Sequence, residues 1–271
     1  MPLFLPSPDF IPTARNTPSL NTYQIITMST ADDDNNHLKC AACGKGGDGL
    51  KACTACQLVK YCNVSCQRAH WRKHKKECKK RAAELHDEAL FKPPTRDECP
   101  ICMLPLPLDH AEWKYQPCCG KELCFGCIHA AFTADSRQLC PFCRTPEPAS
   151  DGEAITRMKK RVEGNDASAI YNLGCFCHKG DYGLPQDREK AVELWIRAGE
   201  LGCAAAYHNL ATFYYNGRGV ERDMKKYKYY AELGAMGGDV VPSHNLGCLE
   251  KAAGNMDRAV KHFMISAGAG L

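Results

Sequence analysis

The sequence predicts a mainly α chain: two small cysteine-rich cross-brace modules, followed by a C-terminal α-solenoid of helix pairs. Fifteen of the 19 cysteines fall between Cys40 and Cys143. From Ala154 onward the chain repeats itself, with Tyr171-Asn172-Leu173-Gly174, His208-Asn209-Leu210-Ala211 and His244-Asn245-Leu246-Gly247 spaced by 37 and 36 residues, the mark of a repeat array. Each cysteine-rich stretch, roughly 40 residues, is too short to bury a self-sufficient core, so something other than apolar burial must hold it.

Residues 1–37 are rich in Pro, Ser, Thr, Asn and Asp, end in Asp32-Asp33-Asp34-Asn35-Asn36 and read as a disordered leader. Met28 opens the polar stretch MSTADDDNNH and is an alternative start. The leader has no basic n-region, and Pro2, Pro6, Pro8 and Pro12 break its apolar residues, so no secretory signal is read. No run of about 18 apolar residues appears, so no membrane span is expected. The expected location is intracellular, cytoplasm or nucleus, where clustered cysteines are thiolates rather than disulfides.

Residues 38–80 hold the first cluster: Cys40-x2-Cys43, Cys53-x2-Cys56, Cys62-x3-Cys66 and His74-x3-Cys78. Four pairs of thiolate and imidazole donors suit two tetrahedral zinc sites, and a histidine among them argues against an iron–sulfur cluster. Spacing alone leaves open which pairs share an ion. With Tyr61-Cys62 and His70-Trp71 included, Cys40 to Cys78 resembles the MYND zinc finger. That resemblance implies Cys40, Cys43, Cys62 and Cys66 on one zinc and Cys53, Cys56, His74 and Cys78 on the other. It also implies binding of proline-containing peptides through Gln67 and Trp71, although an aromatic at position 71 could instead pack beside the metal.

Residues 81–96 form a helical linker, in which good helix formers run until Pro93-Pro94 stops them. The basic run Arg68, Arg72, Lys73, Lys75, Lys76, Lys79, Lys80 and Arg81 lies on the last helix of the finger and its extension. It reads as a solvated face rather than a nucleic-acid patch, consistent with a net charge of only +4.

Residues 97–146 hold the second cluster, with Cys99-x2-Cys102, Cys124-x2-Cys127 and Cys140-x2-Cys143 as regular pairs and Cys118-Cys119 as the sulfurs left over. The pattern from Cys99 to Arg144 resembles a RING finger, which implies Cys99, Cys102, Cys124 and Cys127 on one zinc and Cys118, Cys119, Cys140 and Cys143 on the other. Four Zn2+, two per module, are therefore expected. The departure is Pro117-Cys118-Cys119-Gly120-Lys121, where Lys121 stands at the usual histidine position. Lysine is a poor ligand at neutral pH; Cys118 is the favoured replacement, with His110 and His129 as alternatives. The resemblance implies an E3 ubiquitin ligase that positions a charged E2, contacted by Ile101 and Arg144, without a catalytic residue of its own.

Residues 154–271 form about three helical repeats. Helices are expected at Ala169 to Lys179, Arg188 to Gly199, Ala204 to Tyr215 and Met224 to Leu233, with Gly180, Gly183, Gly217 and Gly219 breaking between them and Asp187, Asp223 and Asp257 preceding second helices. This order resembles Sel1-like repeats, relatives of the tetratricopeptide class. Gly174, Ala198, Ala205 and Ala211 allow close helix contact, while Leu173, Trp195, Leu210, Tyr214 and Leu246 fill the space between. Cys175, Cys177, Cys203 and Cys248 have no paired spacing and are expected as buried small hydrophobes. The last face, at Leu271, lacks a polar cap, as in a truncated array or one awaiting a partner.

The expected function is a zinc-binding interaction scaffold delivering ubiquitin through its RING-like module. The alternative is a non-catalytic adaptor or nuclear co-regulator that binds peptides through both zinc modules. Some MYND-containing proteins are methyltransferases, but no catalytic domain flanks this finger and no G-x-G-x-x-G loop appears.

Overall fold

A computed structural model describes residues 39–134 and 137–271, with His110 described through its backbone alone. The expected leader at 1–37 lies outside these residues. The chain forms two compact units, the first ending at Ala83 and the second running from Glu84 to Leu271.

In the first unit two short antiparallel strands, β1 (Lys51–Ala52) and β2 (Lys60–Tyr61), precede helix α1 (Val64–Leu90). The Asn63 side chain accepts the Cys66 N–H at 3.0 Å, satisfying a donor that the first turn leaves without an intrahelical partner. The helix does not stop at the finger's last cysteine but continues to Leu90, so its final turns belong to the second unit. The first unit's buried cluster is Cys40, Cys53, Cys56, Tyr61 and Cys78. Four of those five are candidate metal ligands, so apolar burial contributes almost nothing.

After the end of α1 the second unit holds the hairpin β3 (Trp113–Gln116) and β4 (Lys121–Cys124), in which Trp113 pairs with Cys124 and Gln116 with Lys121. Helix α2 (Phe125–Ala134) follows. Leu106, Leu123 and Ile128 bury around Cys99 as a small apolar cluster.

Seven helices follow: α3 (Asp151–Glu163), α4 (Ala167–Lys179), α5 (Arg188–Glu200), α6 (Ala204–Asn216), α7 (Met224–Met236), α8 (Val240–Ala252) and α9 (Met256–Gly268). Helices α4 to α9 pack as three consecutive antiparallel pairs, giving the expected solenoid. Asp166, Asp187, Asp223 and Asp239 cap α4, α5, α7 and α8 with side-chain bonds to first-turn N–H groups, each cap contributing about 1 kcal/mol. Asp257 plays a different part: Asn255 precedes α9 and Asp257 lies inside its first turn, where its charge favours the helix dipole. Helix α3 lies ahead of the helices expected from the sequence. It follows a Ser150-x-x-Glu153 start in which Ser150 accepts the Glu153 N–H, and it buries Ile155 and Met158 against the first repeat.

Two of the three pairs, α4/α5 and α8/α9, approach so closely that glycine is required at their crossings. A Cβ on Gly174 would lie 2.7 Å from Trp195 Nε1, and one on Gly247 would lie 2.7 Å from Phe263. Trp195, Leu210, Leu246, Leu173 and Tyr214 are buried as expected. Cys177 is buried too, but Cys248 is exposed, because it sits on the outward side of α8 rather than at a crossing.

The segment after Ala83 also packs onto the repeats. Leu90, 1% exposed, enters the cluster of Ala211, Tyr214, Tyr227, Ala231, Ala235 and Leu246. The Phe91 ring lies against His262, with Arg258 and Lys261 over it.

Candidate metal centres

Four of the five CxxC pairs share one backbone form. In Cys40-x2-Cys43, Cys53-x2-Cys56, Cys99-x2-Cys102 and Cys140-x2-Cys143 the next residue, respectively Gly44, Gln57, Met103 and Arg144, takes positive φ between 58° and 73°. Its N–H donates to the carbonyl of the pair's first cysteine at 2.8 to 2.9 Å. This left-handed residue curls the chain so that both sulfurs and several N–H groups face one point. Glycine adopts it freely; a side chain there carries a strain of about 1 kcal/mol that the site must offset.

The leftover pair uses the same turn with a shifted register. Gly120 has φ 72° and its N–H reaches the Gln116 carbonyl at 2.7 Å, so Gln116 stands where a first cysteine would be. Cys118 takes over from the middle of the turn. Gln116 is buried, and its Nε2 has no partner among the described residues.

Four groups of donor atoms result: Cys40, Cys43, Cys62 and Cys66; Cys53, Cys56, His74 and Cys78; Cys99, Cys102, Cys124 and Cys127; and Cys118, Cys119, Cys140 and Cys143. Within each, the donor atoms lie within 4.8 Å of one another. Neighbouring atoms are closer: Cys43–Cys62 3.6 Å, Cys53–Cys78 3.8 Å, Cys56–His74 3.2 Å, Cys102–Cys124 3.9 Å, Cys119–Cys140 4.0 Å and Cys118–Cys143 3.4 Å. A zinc tetrahedron with sulfur at about 2.3 Å has edges of about 3.8 Å, so the donors fit the ion. None of the 19 cysteines forms a disulfide.

The electrostatics divide each group. Burial raises every buried thiol, yet at Cys40 and Cys99 several peptide N–H groups aimed at the sulfur outweigh it and hold the pKa at about 6. Cys143 is likewise at about 6, against burial, through the Thr145 hydroxyl and N–H. Cys53 is also lowered, by the N–H groups of Cys56 and Ala55. Partners are pushed the other way: Cys78 to about 12 by burial and Cys53, Cys62 to about 12 by Cys43 and Cys40, and Cys118 upward by burial and Cys143. Burial also lowers the His74 pKa, favouring the neutral form that ligates. Each group thus holds one thiol more acidic than the ordinary cysteine, and an arriving cation displaces the remaining protons.

The alternatives at the irregular pair fall elsewhere. Lys121 lies over the Phe142 ring, 5.8 Å from its centroid. His129 is exposed on α2 and joins none of the four groups; the side chain of His110 lies outside the described residues. Trp71 is 39% exposed, and Gln67, one turn earlier, points its Nε2 at Cys53 Sγ, 3.7 Å away. Ile101 and Arg144 are both exposed, each beside a metal-facing cysteine.

Residues 40–78 match the MYND finger family, and residues 167–203 and 204–239 each match the Sel1 repeat. The chain carries a MYND finger and Sel1 repeats. The finger match spans both of the first two donor groups. Among curated proteins, the chain is 40% identical over 57 residues to histone-lysine N-methyltransferase ASHR1 of Arabidopsis thaliana, covering 21% of this chain and 12% of that protein. It is 31% identical over 91 residues to chitin synthase regulatory factor 2 of Schizosaccharomyces pombe, covering 33% and 18%. The chain therefore spans less than a fifth of either relative. Among solved structures, a Sel1 repeat protein from Oxalobacter formigenes is 30% identical over 44% of this chain and 50% of its own, with a TM-score of 0.41. The MYND finger and the Cys/His groups make this a zinc-binding protein with multiple Zn2+ sites, and the Sel1 repeats make it a protein-interaction scaffold. No helix among the described residues is long and apolar enough to cross a membrane.

Sequence spacing singled out the cysteines and the histidine that the fold groups, but not what surrounds them. The left-handed residue after each pair and the packing of α3 against the hairpin depend on the folded backbone. Only Gly44 and Gly120 signalled the turn in advance.

Proposed function

We propose that this protein is an intracellular scaffold in which four zinc ions, one in each donor group, brace two recognition modules carried on the same chain as a helical repeat array. The MYND finger at 38–80 recruits proline-containing segments through Gln67 and Trp71. The RING-like module at 97–146 docks an E2 through Ile101 and Arg144 and delivers ubiquitin to proteins gathered by the repeats at 154–271. The residues at 81–96 join the two modules.

The observation that carries this reading is Trp71, a large aromatic left in solvent on the helix that supplies His74 and Cys78. An exposed tryptophan on a metal-braced frame is a rigid anchor of the kind that dominates binding energy. Ile101 is presented in the same way by the turn at Cys99.

Proline-containing peptides should quench Trp71 fluorescence, and Trp71→Ala should abolish binding while zinc content stays unchanged. Loss of zinc in that variant would assign Trp71 to structure instead. Autoubiquitination with a panel of E2 enzymes, comparing Ile101→Ala, tests delivery. Blank lanes throughout would leave the second reading, a non-catalytic adaptor or nuclear co-regulator, which the irregular Cys118-Cys119 turn favours.

A further inference from the structure

We infer that Arg161, on the helix leading into the repeats, is a positioning residue for the zinc site of Cys118, Cys119, Cys140 and Cys143, so that this site is complete only when the repeats are present. The inference rests on the reading that those four cysteines hold zinc.

Adjacent side chains on an extended chain point in opposite directions, so Cys118 and Cys119 converge on one ion only if the turn between them is held in an unusual form. The four CxxC turns at Cys40, Cys53, Cys99 and Cys140 hold themselves, through the bond from the left-handed residue to the first cysteine. Here that bond reaches Gln116, and the peptide groups flanking Cys118 are fixed from outside. Arg161 Nε donates to the Pro117 carbonyl at 2.9 Å and Arg161 Nη2 to the Cys118 carbonyl at 3.1 Å. A guanidinium presents its N–H groups in a rigid plane, so two such bonds set the orientation of both peptides.

Arg161 is held in its turn. Its Nη1 meets Asp166 Oδ2 at 3.4 Å, and that same oxygen accepts the Tyr115 hydroxyl at 2.8 Å from inside the hairpin. Asp166 is anchored as the N-cap of α4, accepting the Ala169 N–H at 3.0 Å. Gly120 seals the contact, since a Cβ there would lie 2.6 Å from Arg161 Nη1. Hydrogen bonds of this outer kind change metal affinity about 10- to 100-fold when removed. The module at 97–146 is therefore not a self-contained finger: its irregular half borrows its rigidity from α3 and α4.

The test uses the full chain, with zinc counted by elemental analysis and its release to a chromogenic chelator followed in time. Wild type should hold four zinc ions, and Cys118→Ser should lose one. Arg161→Met and Arg161→Lys should each release one zinc at least about tenfold faster than wild type, with helical circular dichroism unchanged. Arg161→Lys keeps the charge beside Asp166 but cannot span two carbonyls, and it decides the matter if Arg161→Met fails to fold. Arg197→Met is the control: it removes a similar bond to the Val162 carbonyl and Asn165 side chain, away from the sulfurs, and should release zinc like wild type. Wild-type release from both Arg161 variants would overturn the positioning role while leaving four zinc sites intact. Unchanged stoichiometry in Cys118→Ser would overturn the zinc reading itself, and the role of Arg161 with it.

Discussion

Arg258 Nη1, in the last helix, donates to both carboxylate oxygens of Asp87, at 2.8 and 2.7 Å, across 171 positions of sequence. Beside this pair Leu90 is buried among α6, α7 and α8, and Phe91 lies under Arg258. The residues following the MYND finger are thus part of the repeat array's own packing.

Apolar burial, not charge, is expected to dominate that attachment. Asp87 and Arg258 side chains remain 44% and 31% exposed, so Asp87→Ala should cost less than about 1 kcal/mol. Leu90→Ala, which opens a cavity, should cost about 2 to 5 kcal/mol. Urea unfolding monitored by helical signal compares them, and equal losses would contradict the ranking.

Close helix crossings predict intolerance to a single methyl group. Gly174→Ala places a carbon 2.7 Å from Trp195, and overpacking of this sort should destabilise by about 1 to 3 kcal/mol. Gly254→Ala meets nothing within 4 Å, but its φ of 83° disfavours any side chain; its expected loss of about 1 kcal/mol comes from the backbone alone. The drop in thermal midpoint should be larger for Gly174→Ala.

Metal removal should separate the two units. The first has a buried cluster made mostly of cysteine, and zinc contributes of the order of 10 to 16 kcal/mol in such fingers. After chelation, hydrogen exchange should become fast at Cys53 and Gln57 while α5 to α8 stay protected. Persistent protection at Cys53 would mean the fold is not metal-dependent.

Acid should weaken the last repeat through Glu250. Burial works to raise this carboxyl, but Asn255, Lys228 and Arg258 around it hold it below its ordinary 4.5. The folded form thus binds a proton less readily than the unfolded form. The stabilisation is complete above pH 4.5 and is lost as pH falls through that value toward the lowered one. The stability gap between wild type and Glu250→Gln should narrow over that range; a constant gap would mean the charge contributes nothing.

The spacings around Cys40, Cys53, Cys99 and Cys140 were legible because a tetrahedral ion demands local pairs, and the repeat helices because period and aspartate caps are local too. Helix α3 carried its own start signal at Ser150 and Glu153, but it lies ahead of the recurring motif and outside the period. Arg161 and Leu90 gave no signal at all. The carbonyls that Arg161 reaches and the helices around Leu90 lie 43 and more residues away, and nothing in the residues around either one specifies a distant carbonyl or a gap between helices.

Three crossings in the array join a glycine to one aromatic ring of a neighbouring helix: Gly174 to Trp195, Gly199 to Tyr207, Gly247 to Phe263. A lock of that kind has a thread pitch. Inserting or deleting a few residues within α4 to α9 would bring a ring opposite a side chain instead of bare backbone, and the jam would propagate to the next crossing. Lineages of this chain should therefore gain or lose length in whole helix pairs, or in the loops at Gly180 and Gly217, and stay fixed in between.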